Sequence, residues 1–342
     1  MVGKMTLRLT LGACAAAVVL AAQTRSLDIY WIDVEGGGAT LIVSPTGQSL
    51  LVDAGNPGNG DRDAKRVLAV AQMAGLKKIG MLLTTHFHGD HVGGTPALAR
   101  MIPIERYFDH GDSIETTPNA VELFNAYKGV AEGKRTTLKP GDRLPLAGVT
   151  VEVISANGVV LGKPLKGGGP NRFCEHAAQH DPDKTENQRS AGFVLTYGKF
   201  KFFDVGDLTW DKEMELACPV DKVGTVTLLQ ATHHGFVNDF SGAPPLYWAL
   251  KPQVVVVNDG PRKGLHASAW DTIQKIPGLE AVWQSHLALA TDKDRNTDEK
   301  RIANLEGTDQ CQGNWLRASV TRDGKMTLTN GRNGYSETYT AR

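Results

Sequence analysis

The apolar run Ile79-Gly80-Met81-Leu82-Leu83 empties directly into Thr84-Thr85-His86-Phe87-His88-Gly89-Asp90-His91. Three histidines and an aspartate inside one hexapeptide limit what this chain can become more than any other stretch of it. A buried strand that ends there and turns into a helix lets the four side chains fan outward, where a continuing strand would send them to opposite faces. Imidazole and carboxylate together suit zinc and other first-row divalent ions. A polar loop with hydrogen-bonded histidines is the plainer alternative, but H-x-H-x-D-H is a rare arrangement to draw by chance.

The rest of the chain reads as strands alternating with helices. Leu27–Val34, Gly38–Ser44 and Gln48–Asp53 are strand-like. Asp61–Gly75 has apolar residues at helical spacing, with Asp61 as the expected N-cap and Gly75 as the C-cap. Further helices are expected near 96–101, 119–130, 211–217, 244–250 and 267–276. Ala191–Asp207 reads as a hairpin turning at Tyr197-Gly198-Lys199, and the tail as another turning at Asp323-Gly324. Residues 157–189, rich in Gly, Pro, His and charge, form one long loop, with Lys166-Gly-Gly-Gly-Pro170 as a flexible lid. Leu82–Gly89 (LLTTHFHG) and Leu228–Gly235 (LLQATHHG) echo each other, each a strand delivering His-Gly at its end. This pattern predicts an α/β chain of two similar halves, each a sheet flanked by helices, whose strand ends meet at one site.

Lys4 and Arg8 precede the uncharged run Leu9–Ala22, the composition of a secretory leader too short to span a bilayer comfortably. The expected division is a signal over 1–22 and one domain over 23–342, with periplasmic or secreted localisation and no stable membrane insertion after cleavage. Leu11-Gly-Ala-Cys14 also resembles a lipoprotein box, but the apolar run continues past the cysteine. The chain has 37 basic and 37 acidic residues. That balance offers no positive field for a polyanion and counts against nucleic acid as a coating partner. No protein partner is evident, and oligomeric state is not legible. In an oxidising compartment Cys174, Cys218 and Cys311 allow one disulfide and one free thiol in any of three pairings, or three buried thiols.

His86-Phe-His-Gly-Asp-His91 resembles the signature of the metallo-β-lactamase fold superfamily, Asp53 the aspartate which that family places before it, and Asp207 in Asp204-Val-Gly-Asp207 the later Gly-Asp. The order Asn187, Ser190, Asp207 and His233-His234-Gly235 looks most like the metal-dependent domain of ComEC-type competence proteins. The resemblance implies an αββα sandwich, two mixed sheets face to face with helices on both outer faces and a metal site at the strand ends. It implies two divalent ions, zinc or alternatively manganese. His86 and His88 would hold the first, Asp90 and His91 the second. Asp207 would bridge them, and His234 or His233 would complete the second site. A water shared by ions about 3.5–4 Å apart loses its proton near neutral pH and serves as the nucleophile. Asp90 and Asp207 are the expected catalytic carboxylates, since two cations need anionic ligands.

Asp53 is expected to orient a ligand, or else to be a strand-end turn residue. Asn187 stands near the point where most members carry a histidine. It could ligate through oxygen, or His176 or His180 could take that place. His266 is a possible ligand or proton donor, with a helix-cap role as the alternative. Arg262 and Lys263 could grip a phosphate or carboxylate, or lie in a solvated turn. His110 and His286 are read as structural. The expected function is exported binuclear hydrolysis, foremost of a phosphodiester. The alternatives are a lactonase or β-lactamase-like hydrolase of a small ester or amide, and a non-catalytic secreted metal-binding module.

Overall fold

The computed structural model describes residues 26–175, 177–178, 180–235, 241–307 and 311–342. The expected leader over 1–22 and His176 lie outside the described residues. Two large mixed sheets face each other. The first runs, edge to edge, through Ser336–Thr340, Lys325–Asn330, Leu316–Val320, Leu27–Trp31, Thr40–Val43, Ser49–Val52, Met81–Leu83, Tyr107–Asp109 and Arg135–Thr137. The second runs through Ile302–Asn304, Ala281–His286, Val254–Val257, Leu228–Gln230, Phe200–Asp204, Gly192–Tyr197, Thr150–Ala156 and Arg143–Leu144. The tail hairpin therefore completes the first sheet, with Leu316–Val320 antiparallel to Leu27–Trp31.

Strand alternation builds the layers. Leu27, Ile29 and Trp31 enter the core between the sheets, where they meet Val153, Phe193, Leu195, Phe202 and Trp283 of the opposite sheet. Tyr30 and Ile32 point the other way, into a core closed by helices Arg62–Met73, Thr95–Met101 and Pro118–Ala131. Helices Trp210–Ala217, Pro244–Leu250 and Ala267–Gln274 cover the outer face of the second sheet through Leu216, Tyr247, Leu250 and Ile273. The result is the αββα sandwich. One polar clamp crosses its interior: the Gln230 amide oxygen accepts from Trp31 Nε1 (2.8 Å) and Thr40 Oγ1 (3.0 Å).

Two local expectations are corrected. Asp61 occupies the N-cap position of its helix but adopts a left-handed backbone and offers no capping bond. The stretch around Lys166–Pro170 is fastened to the second half of the chain, so the lid reading does not hold. Gly169–Pro170 pairs with Val220–Asp221, and the Asn171 amide donates to Ala217 O and Pro245 O (both 3.0 Å). Cys174 forms a disulfide with Cys218, leaving Cys311 a buried free thiol among the described residues. Glu213, fully buried, accepts from Ala243 N (2.7 Å) and ties its helix to the chain just after Ser241.

Two outcomes follow. The disulfide closes a loop of 44 residues, so Cys174→Ser with Cys218→Ser should cost roughly 2–4 kcal/mol in urea unfolding at fixed pH. Burial pushes the Glu213 carboxyl up to about 8. The folded protein keeps this proton where the unfolded chain has already released it. The group's stabilisation is therefore complete below about pH 4.5 and is lost as pH rises to about 8, at up to roughly 1.4 kcal/mol per unit. Thermal melts of Glu213→Gln across that window should show a flatter fall in Tm than the parent chain.

Candidate metal centre

Each sheet delivers imidazoles at its strand ends. Met81–Leu83 leads to His86, followed by the short helix Gly89–Val92, which carries Asp90 and His91. Leu228–Gln230 leads to His233 and His234, and Phe200–Asp204 leads to Asp207. His233 and His234 both take positive φ, 50° and 59°, and so does Asp53 at 59°. Non-glycine residues rarely hold this backbone without a compensating contact, and here three of them aim their side chains at one place.

Asp90, His91, Asp207 and His234 form a tight group whose donor atoms all lie within 4.8 Å of one another. His91 Nε2 is 3.3 Å from Asp207 Oδ2 and 3.4 Å from Asp90 Oδ2. His234 Nε2 is 3.4 Å from Asp207 Oδ1 and 3.6 Å from Asp90 Oδ2. His86 Nε2 approaches Asp207 Oδ2 at 3.8 Å, and its ring lies 4.7 Å from that of His88. Asp207 thus stands between the two halves, with imidazoles of both turned toward it.

The outward ring atoms set the tautomers. His91 Nδ1 donates to Asp53 Oδ2 (2.7 Å), and Asp53 also accepts from Thr85 N and Thr85 Oγ1. His234 Nδ1 donates to Asn258 O (3.2 Å). His233 Nδ1 meets Ser241 Oγ, which donates to Leu208 O. With both Nδ1 atoms turned outward, the Nε2 atoms of His91 and His234 face each other at 3.2 Å, close enough to share one cation. His86 Nε2 and Asp207 Oδ1 are buried without a hydrogen bond. Orphaned donor atoms, two carboxylates and several imidazoles fit divalent cations of the zinc class.

The electrostatics agree. Burial alone would raise Asp207, but His233, His91 and His234 hold it well below the carboxylate range. Asp90 is lowered likewise, against burial, by His91, His234 and Lys263. Burial lowers His86, helped by His91 and His88, and takes His233 down to about 4. Burial opposes protonation of His91, yet Asp207, Asp90 and Asp53 raise it well above its ordinary value. Burial, with Asp53 and Asp207 adding to it, pushes Asp204 up to about 7. Near neutral pH the ionised Asp90 and Asp207 face His86 and His233 held neutral, and a cation bound there would take the place of the proton that the carboxylates draw onto His91.

Other expected residues fall outside the tight group. Both His233 and His234 face Asp207, His233 Nε2 at 3.3 Å, but only His234 belongs to that group. Asn187 lies in the turn Glu186–Arg189, with its Oδ1 buried and unbonded; the adjacent Glu186 accepts from Phe87 N (3.4 Å). His180 packs edge-on against Trp210 and is not brought to the ligands. His266 occupies the N-cap position of its helix, and its backbone N–H donates to Gly235 O (2.8 Å). Lys263 pairs with Asp90 itself, while Arg262 is exposed nearby.

Sequence reasoning missed Glu115, 3.5 Å from His88 Nε2, and the role of the run Gly36-Gly37-Gly38. A Cβ on Gly38 would stand 2.8 Å from His91 Nδ1 and 2.9 Å from Asp53 Oδ2. The signal for it was three successive glycines at a strand end.

Residues 33–176 match the metallo-beta-lactamase superfamily. The match takes in Asp53 and His86 to His91; Asp207, His233 and His234 lie beyond it. A UPF0173 metal-dependent hydrolase from Cupriavidus taiwanensis is 35% identical over 106 residues, 28% of this chain and 35% of the relative. A hydroxyacylglutathione hydrolase from a Synechococcus species is 32% identical over 132 residues, 38% of this chain and 40% of the relative. The chain thus aligns with well under half the length of these two relatives. Among solved structures, the metallo-beta-lactamase fold protein YhfI from Bacillus subtilis gives a TM-score of 0.45 at 13% identity, over 75% of this chain and 95% of that one. The diiron β-hydroxylase CmlA from Streptomyces venezuelae gives 0.39 at 14%, over 75% and 48%.

Removing the carboxylate that orients His91 should weaken metal retention without unfolding the chain. Asp53→Asn is expected to lower zinc affinity roughly 10–100-fold in chelator competition, and Gly38→Ala should act in the same direction by wedging Asp53 from His91. Unchanged affinity in both would separate Asp53 from the metal centre.

Proposed function

We propose that this chain is a binuclear metal-dependent hydrolase acting on an ester-like bond of an anionic substrate, foremost a phosphodiester. The observation that carries the reading is the convergence of imidazoles from both sheets on Asp207. His86 and His88 would hold one ion. Asp90, His91 and His234 would hold the other, and Asp207 would touch both. Bound there, the ions would supply Lewis acidity and a water acidic enough to attack near neutral pH.

The chain's own residues do the rest. Asp90 and Asp207 offset the cationic charge, and Asp53 keeps His91 presenting Nε2. Lys263 and the exposed Arg262 put positive charge at the rim, where an anionic group would dock. The sequence order running from Asn187 to His233-His234-Gly235, which resembles ComEC-type domains, favours phosphodiesters within this class. The names of the relatives, metal-dependent hydrolase and hydroxyacylglutathione hydrolase, support hydrolysis. The second name favours a second reading, a small thioester or lactone as substrate. Export is proposed with it, supported by the leader-like composition of 1–22 and by the Cys174–Cys218 disulfide.

Metal-quantified protein should carry two ions per chain and turn over bis-p-nitrophenyl phosphate faster than lactone, thioester or nitrocefin substrates. Full loading with turnover of the thioester or lactone alone would transfer the assignment to the second reading. Full loading with no turnover on the whole panel would overturn hydrolysis. Asp207→Ala should abolish turnover and reduce bound metal while circular dichroism stays native. Arg262→Ala should mainly raise KM for anionic substrates.

A further inference from the structure

A second cluster of metal-ligating side chains lies apart from the hydrolytic centre. Asp33 follows strand Leu27–Trp31 of the first sheet, and His286 ends strand Ala281–His286 of the second. Cys311 approaches both, and all three side chains are buried. His286 Nε2 lies 3.0 Å from Asp33 Oδ1 and 3.7 Å from Cys311 Sγ, and that sulfur is 3.4 Å from Asp33 Oδ2. We propose that Asp33, His286 and Cys311 form a separate mononuclear site for a thiophilic divalent cation, zinc foremost.

The geometry separates this from a nucleophilic triad. A carboxylate that positions a histidine to activate a thiol bonds the ring nitrogen opposite the thiol. Here carboxylate and thiol share one nitrogen, and the opposite one, His286 Nδ1, is buried without a partner. As hydrogen bonds alone, His286 Nε2 serves Asp33 Oδ1 and the Cys311 thiol donates to Asp33 Oδ2, which still leaves His286 Nδ1 without a partner. A cation can take a lone pair from each of the three groups. Zinc bonds of about 2.0–2.3 Å in a tetrahedron place ligand atoms roughly 3.3–3.8 Å apart; the nitrogen–sulfur distance of 3.7 Å falls in that range, and Asp33 offers one oxygen to each of the other two groups. Sulfur, nitrogen and oxygen in one set select zinc or cobalt over magnesium or calcium.

Surrounding residues hold the ligands in place. Arg66 donates to Asp33 Oδ2 (2.9 Å), to Asp33 O (3.2 Å) and to Cys311 O (2.9 Å), so one guanidinium sets the backbone of two ligands. Its charge is shared with Glu35 at 3.3 Å. Asp33 Oδ1 also accepts from Glu35 N (2.9 Å) while facing His286. Asn304 Oδ1 lies 3.5 Å from the sulfur and is itself fixed by Asn314 N and Nδ2. A cavity of about 190 Å³ lined by Asn304, Cys311, Asn314 and Arg332 adjoins the cluster on the Cys311 side. A cation there would join a strand end of each sheet.

The hydrolytic centre contains no sulfur, so a thiolate-to-cobalt charge-transfer band reports on this site alone. The full chain carrying Cys14→Ser leaves Cys311 as the only thiol outside the disulfide. Stripped of metal and titrated with cobalt(II), it should develop that band in the near ultraviolet, with a final intensity of one thiolate-bound cobalt per chain. The band should persist in Asp207→Ala, disappear in Cys311→Ser, and require several-fold more cobalt in His286→Gln. Absence of the band in the Cys311-containing protein, with cobalt bound elsewhere, would overturn the proposal without reliance on any variant's folding. Persistence in Cys311→Ser, or an unshifted titration in His286→Gln, would overturn it as well.

Discussion

A carboxylate with almost no access to solvent, ringed by imidazoles from two sheets, is the constraint around which this molecule is organised. Asp207 is 2% exposed. An isolated charge so placed would be prohibitively costly. Its compensation arrives from both directions: His86 and His91 from the first sheet, His233 and His234 from the second. Neither half of the chain can satisfy that oxygen pair alone. The face-to-face packing of the sheets and the chemistry of the centre are therefore one requirement met once.

Backbone strain is concentrated where this requirement is met. Asp53, His233 and His234 all adopt the left-handed region, at a cost on the order of 1–3 kcal/mol each. The contacts they gain are specific: Asp53 collects Thr85 and His91, His233 reaches Ser241, and His234 reaches Asn258 O. Glycines clear the approach. Gly206, itself at positive φ, lies so near Thr85 that a Cβ would come within 2.9 Å of its side chain. The neighbouring buried network continues the same logic, with Glu186 accepting from His110 Nε2 at 2.8 Å beneath Phe87.

Much of this was legible in the sequence because it is written locally. Leu27, Ile29 and Trp31 alternate with Tyr30 and Ile32, and the two cores follow from that period. His86, His88, Asp90 and His91 sit within one turn, so their clustering needs no knowledge of the fold. Asp53, Asp207 and His233-His234 became readable through family resemblance, since nothing in their own neighbourhoods says that they meet. What stayed hidden depends on contacts between distant segments. Lys263 reaches Asp90 across 173 positions, and Arg66 reaches Cys311 O across 245. Pairing of Cys174 with Cys218 is likewise a product of the folded path. His286 looked structural because its neighbours in sequence carry no ligand; its partners, Asp33 and Cys311, come from the first strand and the tail.

The Gln230 amide, grasped from the facing sheet by Trp31 and Thr40, has a consequence for ion choice. It lies just before the segment that carries His233 and His234, and it ties the two layers to each other in the buried interior. The calibre of the cradle is accordingly set by hydrocarbon packing and one hydrogen-bonded crosspiece, ahead of any occupant. Cations of differing radius would compete for a gauge already cut, and discrimination among them would be governed by how little the two layers can yield.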